Sequence, residues 1–442
     1  MRTLVITVGG SFEPVRTSIE SLEPDRVVFL CSGGRSGSRS QVDGPGTPCE
    51  VRQLGQVVDK KPSLVHQLDL KDYEVETLED PDDLPAWYAL ASGVLERLMS
   101  QEASEIQVDY TGGTKTMSAA LVAAALDLQV PVFVTTGVRR DLVKVDFGQS
   151  TERLETHRIH AARALKIFLP DLLEAFDYSG AVSLMERLRI QGHSHGVQRA
   201  EFQFWWNLSR TLEAWDRFDH DTASRFLASL TRDPWIRDQF LNRLKNICTA
   251  RADLETRGDA DGSLPKAKSH HHGYEPVWDL ILNAERRAAQ SRFDDAVGRL
   301  YRALELTAQI RLQRTYGIYT VHVPPEVIPE CVRPLLMEGK TPDPKTGCVR
   351  VGLFDSWRIL SAFPDDPLGQ RFDPLKGHLQ TALEIRNHSL FAHGFQSINL
   401  DAWRGFHKLV SGFLADCIRD LTREELPAQL PGRLPELLLP QQ

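Results

Sequence analysis

The feature that most constrains what this chain can fold into is a change of rhythm near residue 157. Before it, short apolar, β-branched runs alternate with helical patterns. Residues 4–8, 26–31, 106–109 and 132–135 read as strands and 66–70 as a weaker one, while 86–99 and 117–128 carry the three-to-four apolar spacing of helices. Such alternation predicts a doubly wound, mostly parallel sheet, with ligands outside the carboxyl ends of its strands. After residue 157 the strand signal stops, and long helical patterns such as 157–176 and 198–218 take over. The expected fold class is an α/β, Rossmann-like N-terminal domain over 1–150, an all-α linker over 151–273 and a second all-α domain over 274–442. The polar stretch 257–273 marks the later boundary. Three domains suit 442 residues at roughly 100–200 residues each. Residues 319–351, rich in Pro, Gly and Lys, read as an insertion between helices, and the proline-bearing tail from Glu425 as a surface run. Phe176-Asp177, Phe218-Asp219 and Phe293-Asp294 each precede a helical pattern, as an N-cap with a staple-type contact would.

Composition enters as an exclusion. A formal net charge of −8 disfavours a protein that coats nucleic acid, though not an enzyme with a small footprint on it. The six cysteines (Cys31, Cys49, Cys248, Cys331, Cys348, Cys417) form no CxxC pair, which argues against a zinc ribbon or a disulfide scaffold and for free thiols. The N-terminus lacks the apolar run of a signal peptide, and the longest apolar stretch, 119–134, is interrupted by Asp127, Gln129 and Pro131. The chain is expected in the cytoplasm.

Three glycine-bearing loops follow expected strands. The sharpest is Thr111-Gly112-Gly113-Thr114-Lys115-Thr116, which is neither a P-loop nor GxGxxG, because Thr114 separates Gly113 from Lys115. Its glycines admit close backbone approach, a helix start favours anions, and the hydroxyls and Lys115 suit a phosphodiester or nucleotide. A plain strand-to-helix turn capped by threonine reads the same residues. Gly9, Gly10, Ser11 and Phe12 follow the first strand; Gly33 and Arg35 follow the second. All three loops should meet at one sheet edge. No acidic cluster stands out beside them to hold Mg²⁺, which speaks against an NTPase.

The second constellation is Arg386-Asn387-His388, with His393 seven residues after Arg386. In one continuous helix His393 would lie about 20° from Arg386 around the axis and Asn387 about 100°. His388 would lie on the far side. A histidine can move a proton near neutral pH, an arginine can stabilise a phosphorane-like transition state, and an asparagine can position a phosphate or the histidine. These types suit metal-independent RNA cleavage by the substrate's own 2′-hydroxyl. A helix end closed by Gly394 reads them as structural instead. From Lys376 to Lys408 there are four Lys/Arg and four His against two Asp/Glu, favouring an anionic substrate.

Together the motifs resemble one family. Asp109-Tyr110-Thr111-Gly112-Gly113-Thr114-Lys115 is similar to the ligand motif of CARF domains (CRISPR-associated Rossmann fold), and Thr7-Val8-Gly9-Gly10-Ser11 with Pro14 to their first-strand loop. Arg386-Asn387 to His393 resembles the R-x(4–6)-H signature of HEPN ribonucleases. Arg292-Phe293-Asp294-Asp295-Ala296 and Leu300-Tyr301-Arg302-Ala303-Leu304-Glu305 resemble the preceding helix. The order is that of the accessory ribonucleases of type III CRISPR systems. The resemblance implies a homodimer whose CARF pair binds a cyclic oligoadenylate activator, with the four-adenylate ring first in expectation, at Gly9, Gly10, Ser11, Phe12, Gly33, Arg35 and Thr111–Thr116. It implies a HEPN pair that cuts single-stranded RNA through Arg386, Asn387 and His393 to leave a 2′,3′-cyclic phosphate, without a metal and without a membrane. The resemblance extends to CARF domains that slowly degrade their own activator, a role that Ser11, Thr111, Thr114 and Lys115 would serve. The alternative is a non-catalytic CARF-type sensor whose helical region is an interaction module.

Elsewhere, His270-His271-His272 and His193-Ser194-His195 read as polar surface loops rather than metal ligands. Trp205, Trp206 and Trp215 read as packing, and Arg139-Arg140 stays open between phosphate contact and solvated pair.

Overall fold

A computed structural model describes the chain except residues 35–36, 54–55, 102–104, 140–144, 191–198, 231–239, 256–270, 390–393 and 431–442, and the side chains of 52–53, 137–139 and 145–149. It divides into two compact units, Met1–Ala162 and Arg163–Gln442.

The first unit is built on a six-stranded sheet. Its strands are β1 (Arg2–Val8), β2 (Arg26–Ser32), β5 (Tyr73–Leu78), β6 (Glu105–Asp109), β7 (Val132–Arg139) and β8 (Val145–Arg153), in the order β5-β2-β1-β6-β7-β8. Neighbours are parallel except β8, which runs against β7. Successive residues of β1 feed opposite faces. Leu4, Ile6 and Val8 pack with Phe12, Val15 and Ile19 on one side, and Val5 packs with Trp87, Leu95 and Leu121 on the other. β1 is followed by β2 on one flank and bordered by β6 on the other, so the strand order reverses between β1 and β6. That is the switch point at which α/β sheets open a crevice.

Two local readings change. Residues 66–70 are not a strand; the chain there forms a short helix, Leu64–Gln67, anchored by buried Leu64. The separate antiparallel hairpin of β3 (Cys49–Gln53) and β4 (Gln56–Lys61) was not evident, because the exposed, charged β4 shows no buried face for periodicity to reveal.

Among its described residues the second unit carries helices and no strand, apart from the isolated bridges Val323–Val349 and Ser389–Gln396. One core gathers Leu169, Tyr178, Trp205, Trp215 and Leu244, so Trp205 and Trp215 are packing residues; a second gathers Val277, Leu300, Trp357, Phe372 and Phe413. Between these sets lies the helix Glu275–Ala289. Its apolar Val277, Trp278, Ile281 and Ala284 join the second core. Its Glu275, Asp279, Asn283, Arg286 and Arg287 recur every three to four residues and are also buried, a polar stripe that calls for partners; most of its buried atoms have one, though Arg286 Nη2 and Arg287 Nε do not. Asp279 accepts hydrogen bonds from Trp215 Nε1 and His220 Nε2, both at 2.8 Å, and Asp216 is paired with Arg286, Arg287 and Asn283.

Asp177 and Asp219 cap as expected, accepting from Gly180 and Thr222, with Phe176 and Phe218 in the left-handed region before them. At the third site the reversal falls two residues earlier, on Ser291, so Phe293 opens the helix and Asp294 is free to accept from Ile398 N instead. The histidine run is not a surface loop: His271 is buried against Asp253 at 2.8 Å, and His272 meets Glu275 and Glu424 (His270 and 193–195 lie outside the described residues). Nor is the described part of the tail a loose surface run. Ala428 and Gln429 bond Arg243 and Arg286, and Leu430 enters the first helical core.

Candidate functional site

At the crevice of the first unit the loops after β1 and β6 meet backbone to backbone. A Cβ on Gly9 would come within 2.7 Å of Gly113 N, and one on Gly112 within 2.1 Å of Thr7 O, while Gly113 has φ +85°. These three positions therefore require glycine. Thr7 Oγ1 donates to Gly112 O at 2.7 Å. Asp109, fully buried, accepts from Thr111 N and Ser18 Oγ, both at 2.7 Å. Burial pushes its carboxyl up, opposed by the bonds from Thr111 and Ser18. The helix Lys115–Asp127 starts here, capped by Thr114, whose hydroxyl accepts from Met117 N and donates to Pro81 O. Thr111 Oγ1 accepts from Thr135 N, fixing the loop to β7. The loop after β2 joins the same edge: Ser38 Oγ donates to Val8 O at 2.6 Å, Gln41 Nε2 to Gly9 O, and Gly33 N to Leu78 O.

The structure thus brings Gly9, Gly10, Ser11, Gly33 and Thr111–Thr116 to one edge, with Gly10, Ser11 and Lys115 exposed. Two expectations change. Phe12 is only 2% exposed and packs in the core with Val15 and Leu4, so its ring offers no ligand surface. An acidic loop does border the site: Thr114 bonds Pro81 O, and Thr116 Oγ1 lies 3.4 Å from Asp82 Oδ1, beside Glu79, Asp80 and Asp83. Sequence distance hid it, since 33 residues separate Pro81 from Thr114. Among the described residues no group of three or more His, Cys, Asp or Glu is placed to hold a metal ion. Arg35 and Arg140, and the side chain of Arg139, lie outside the described residues.

The second constellation lies at the end of the helix Lys376–Asn387. The continuous helix through residue 393 is not what forms. His388 is the C-cap, Ser389 N turns back to Arg386 O, and the chain folds over the helix end, Gly394 N donating to Ser389 O and Gln396 N to His388 O. A Cβ on Gly394 would stand 1.9 Å from His388 O, so glycine is needed there for close approach. The wheel geometry relating Arg386 to His393 therefore does not apply, and His393 lies outside the described residues. Arg386 and Asn387 are adjacent, Nη1 donating to Oδ1 at 3.4 Å. The Arg386 guanidinium sits 4.6 Å from the centroid of the Tyr301 ring, which belongs to the helix Phe293–Tyr316. Tyr301 as a partner of Arg386 was not legible in sequence, 85 residues away. Asp294, on the same helix, holds Ile398 at the far end of the fold-back.

The first unit is Rossmann-like, with a crevice at its switch point, and the second is helical, with an arginine–asparagine pair at a helix end. Residues 268–416 match the family model of the Csm6 HEPN domain. Enterococcus italicus Csm6, bound to cyclic hexa-2′-fluoro-hexa-dAMP, shares the fold with a TM-score of 0.54 at 13% identity, over 95% of this chain and 95% of that one. Can2 from Sulfobacillus thermosulfidooxidans in complex with cyclic tetra-adenylate aligns over 40% of this chain and 48% of that one, at 13% identity and a TM-score of 0.23. Protein VC1899 from Vibrio cholerae aligns over 58% and 70%, at 8% identity and 0.24. The last two likenesses are too slight to carry weight. No curated protein matches the chain in sequence. Among the described residues no helix is long and apolar enough to cross a membrane.

Proposed function

We propose that this chain is a cyclic-oligoadenylate-activated, metal-independent endoribonuclease of type III CRISPR defence, working as a cytoplasmic homodimer. The division of labour is sensing in 1–150, relay in 151–273 and cleavage in 274–442. The observation that carries the reading is the Arg386–Asn387 pair closing a helix inside the matched HEPN domain, with Arg386 held on Tyr301. His393 takes the proton from the 2′-hydroxyl; O2′ then attacks the phosphorus, and the P–O5′ bond breaks. The leaving oxygen gains a proton, giving a 2′,3′-cyclic phosphate and a 5′-hydroxyl. Arg386 stabilises the charge on the phosphorane, and Asn387 positions the phosphate. This route has its nucleophile in the substrate and calls for no metal.

At the sensing edge, Lys115 and the helix start behind Thr114 meet the phosphates of the ring, with Gly9, Gly10, Ser11, Gly33 and Arg35 around it. A two-fold ligand on a two-fold axis meets the same donors twice. The ligand shifts the population toward a competent HEPN pair. Cyclic tetra-adenylate is the expected ring, and Ser11, Thr111, Thr114 and Lys115 support its slow cleavage. Analysis of the product ends tests the chemistry: 2′,3′-cyclic phosphate ends are expected, absent in Arg386→Ala and His393→Ala. Ends bearing 5′-phosphate, or unimpaired variants, overturn it. Lys115→Ala should raise the activator concentration needed, and incubation for hours should shorten the activator itself.

A further inference from the structure

Phe395 is 92% exposed, the most exposed of the large apolar side chains among the described residues; Ile190, next, is 71% exposed. Its backbone is not loose. Gly394 N donates to Ser389 O and Gln396 N to His388 O, so the residues on both sides of Phe395 are pinned to the end of the helix that carries Arg386 and Asn387. A ring standing in water on a fixed backbone loses little conformational freedom when something settles on it.

Its surroundings say what that is. Among the described residues its chain neighbours Gln396, Ser397 and Asn399 are exposed and polar, and Leu400, 43% exposed, is the one other exposed large apolar side chain of the segment 394–400, less than the broad apolar patch that marks protein interfaces. The same stretch, 376–408, carries the local excess of Arg, Lys and His. An exposed aromatic face on a chain segment richer in Arg, Lys and His than in Asp and Glu fits an unpaired nucleobase joined to phosphates. We infer that Phe395 is a stacking platform for one base of single-stranded RNA at the cleavage site, chosen for its π face and hence tolerant of base identity. The inference rests on the ribonuclease reading.

Binding of a non-cleavable 2′-O-methyl oligonucleotide to the full chain, followed by fluorescence anisotropy, separates the two. Phe395→Ala and Phe395→Leu should each weaken binding roughly five- to a hundred-fold, the range for one base–aromatic stack, and Phe395→Tyr should bind like the parent. Phe395→Leu keeps an apolar side chain without the π face. Parent-like binding by Phe395→Leu or Phe395→Ala overturns the inference, as does no binding by the parent protein. A halved molecular mass of Phe395→Ala by light scattering overturns it in favour of packing against a second copy. Oligonucleotide binding that depends on Phe395, in a protein that cuts no RNA, would sink the ribonuclease reading and leave the platform standing.

Discussion

Asp279→Asn is the most telling perturbation of the helical unit. The Asp279 carboxylate is fully buried and accepts from Trp215 Nε1 and His220 Nε2, each at 2.8 Å. Arg251 Nη1 lies 3.0 Å from His220 Nδ1. Arginine has no acceptor, so Nδ1 must accept and the ring proton sits on Nε2, facing Asp279. An asparagine can take the bond from Trp215, but its amide then turns an N–H toward the N–H of His220. The other tautomer would set an N–H against Arg251. The variant also removes the negative charge beside Arg286 and Arg243. Breaking a buried pair in this way costs about 3–5 kcal/mol. For a unit of this size that corresponds to a melting temperature lower by roughly 6–20 °C. Circular dichroism melts at pH 7 measure it. The pH dependence is a second readout. Burial alone would raise the Asp279 carboxyl, but the bond from His220 and the charges of Arg286 and Arg243 outweigh it and hold the group below its ordinary value. A lowered carboxyl stabilises above its unfolded pKa, near 4, and loses that contribution as pH falls through the folded value. The gap between parent and variant should therefore be full at pH 7 and close only below about pH 4. A variant melting within 2 °C of the parent, a small fraction of the shift expected for a buried pair, would refute the reasoning. So would a gap that closes near pH 6.

Tyr301→Leu should lower kcat about fivefold, one cation–π contact of roughly 1 kcal/mol, while Tyr301→Phe keeps the parent rate; equal rates for Leu and Phe would remove the ring from the positioning of Arg386. Gly112→Ala forces a Cβ to 2.1 Å from Thr7 O. Overpacking of about 1–3 kcal/mol is expected there, with loss of activator response; dose curves matching the parent would contradict it. All six cysteines are free, and burial pushes Cys31 to about 12 and Cys49 to about 11, so in a timed thiol assay at pH 8 exposed Cys331 should react first and these two only on unfolding.

What was legible in the sequence follows from where periodicity has one buried face to report. The β1 and β6 runs and their glycine loops were legible because one face of β1, Leu4, Ile6 and Val8, is wholly apolar, the strand is β-branched, and the loops need glycine at Gly9, Gly112 and Gly113. Their meeting at one edge followed from parallel topology. The acidic loop at Pro81 and the ring of Tyr301 were not, because tertiary folding alone brings them to Thr114 and Arg386. The helix carrying Arg386 was drawn too long: nothing in the composition of 388–393 announces a stop, and Gly394 acts through its close approach to His388 O rather than as an ordinary cap. The stripe from Glu275 to Arg287 would pass for a solvated face by type, yet it is buried, with Asp216, Trp215 and His220 partnering Asp279, Asn283, Arg286 and Arg287, and the backbone of His272 and Gly273 partnering Glu275.

Cleavage of single-stranded RNA in EDTA, with cyclic oligoadenylates of four and six adenylates or with none, tests the central claim most directly. Rapid cutting only with a cyclic ring, strongest with four adenylates and abolished in Arg386→Ala, is the predicted result. Cutting that ignores every ring, stops in EDTA, or survives in Arg386→Ala would contradict it.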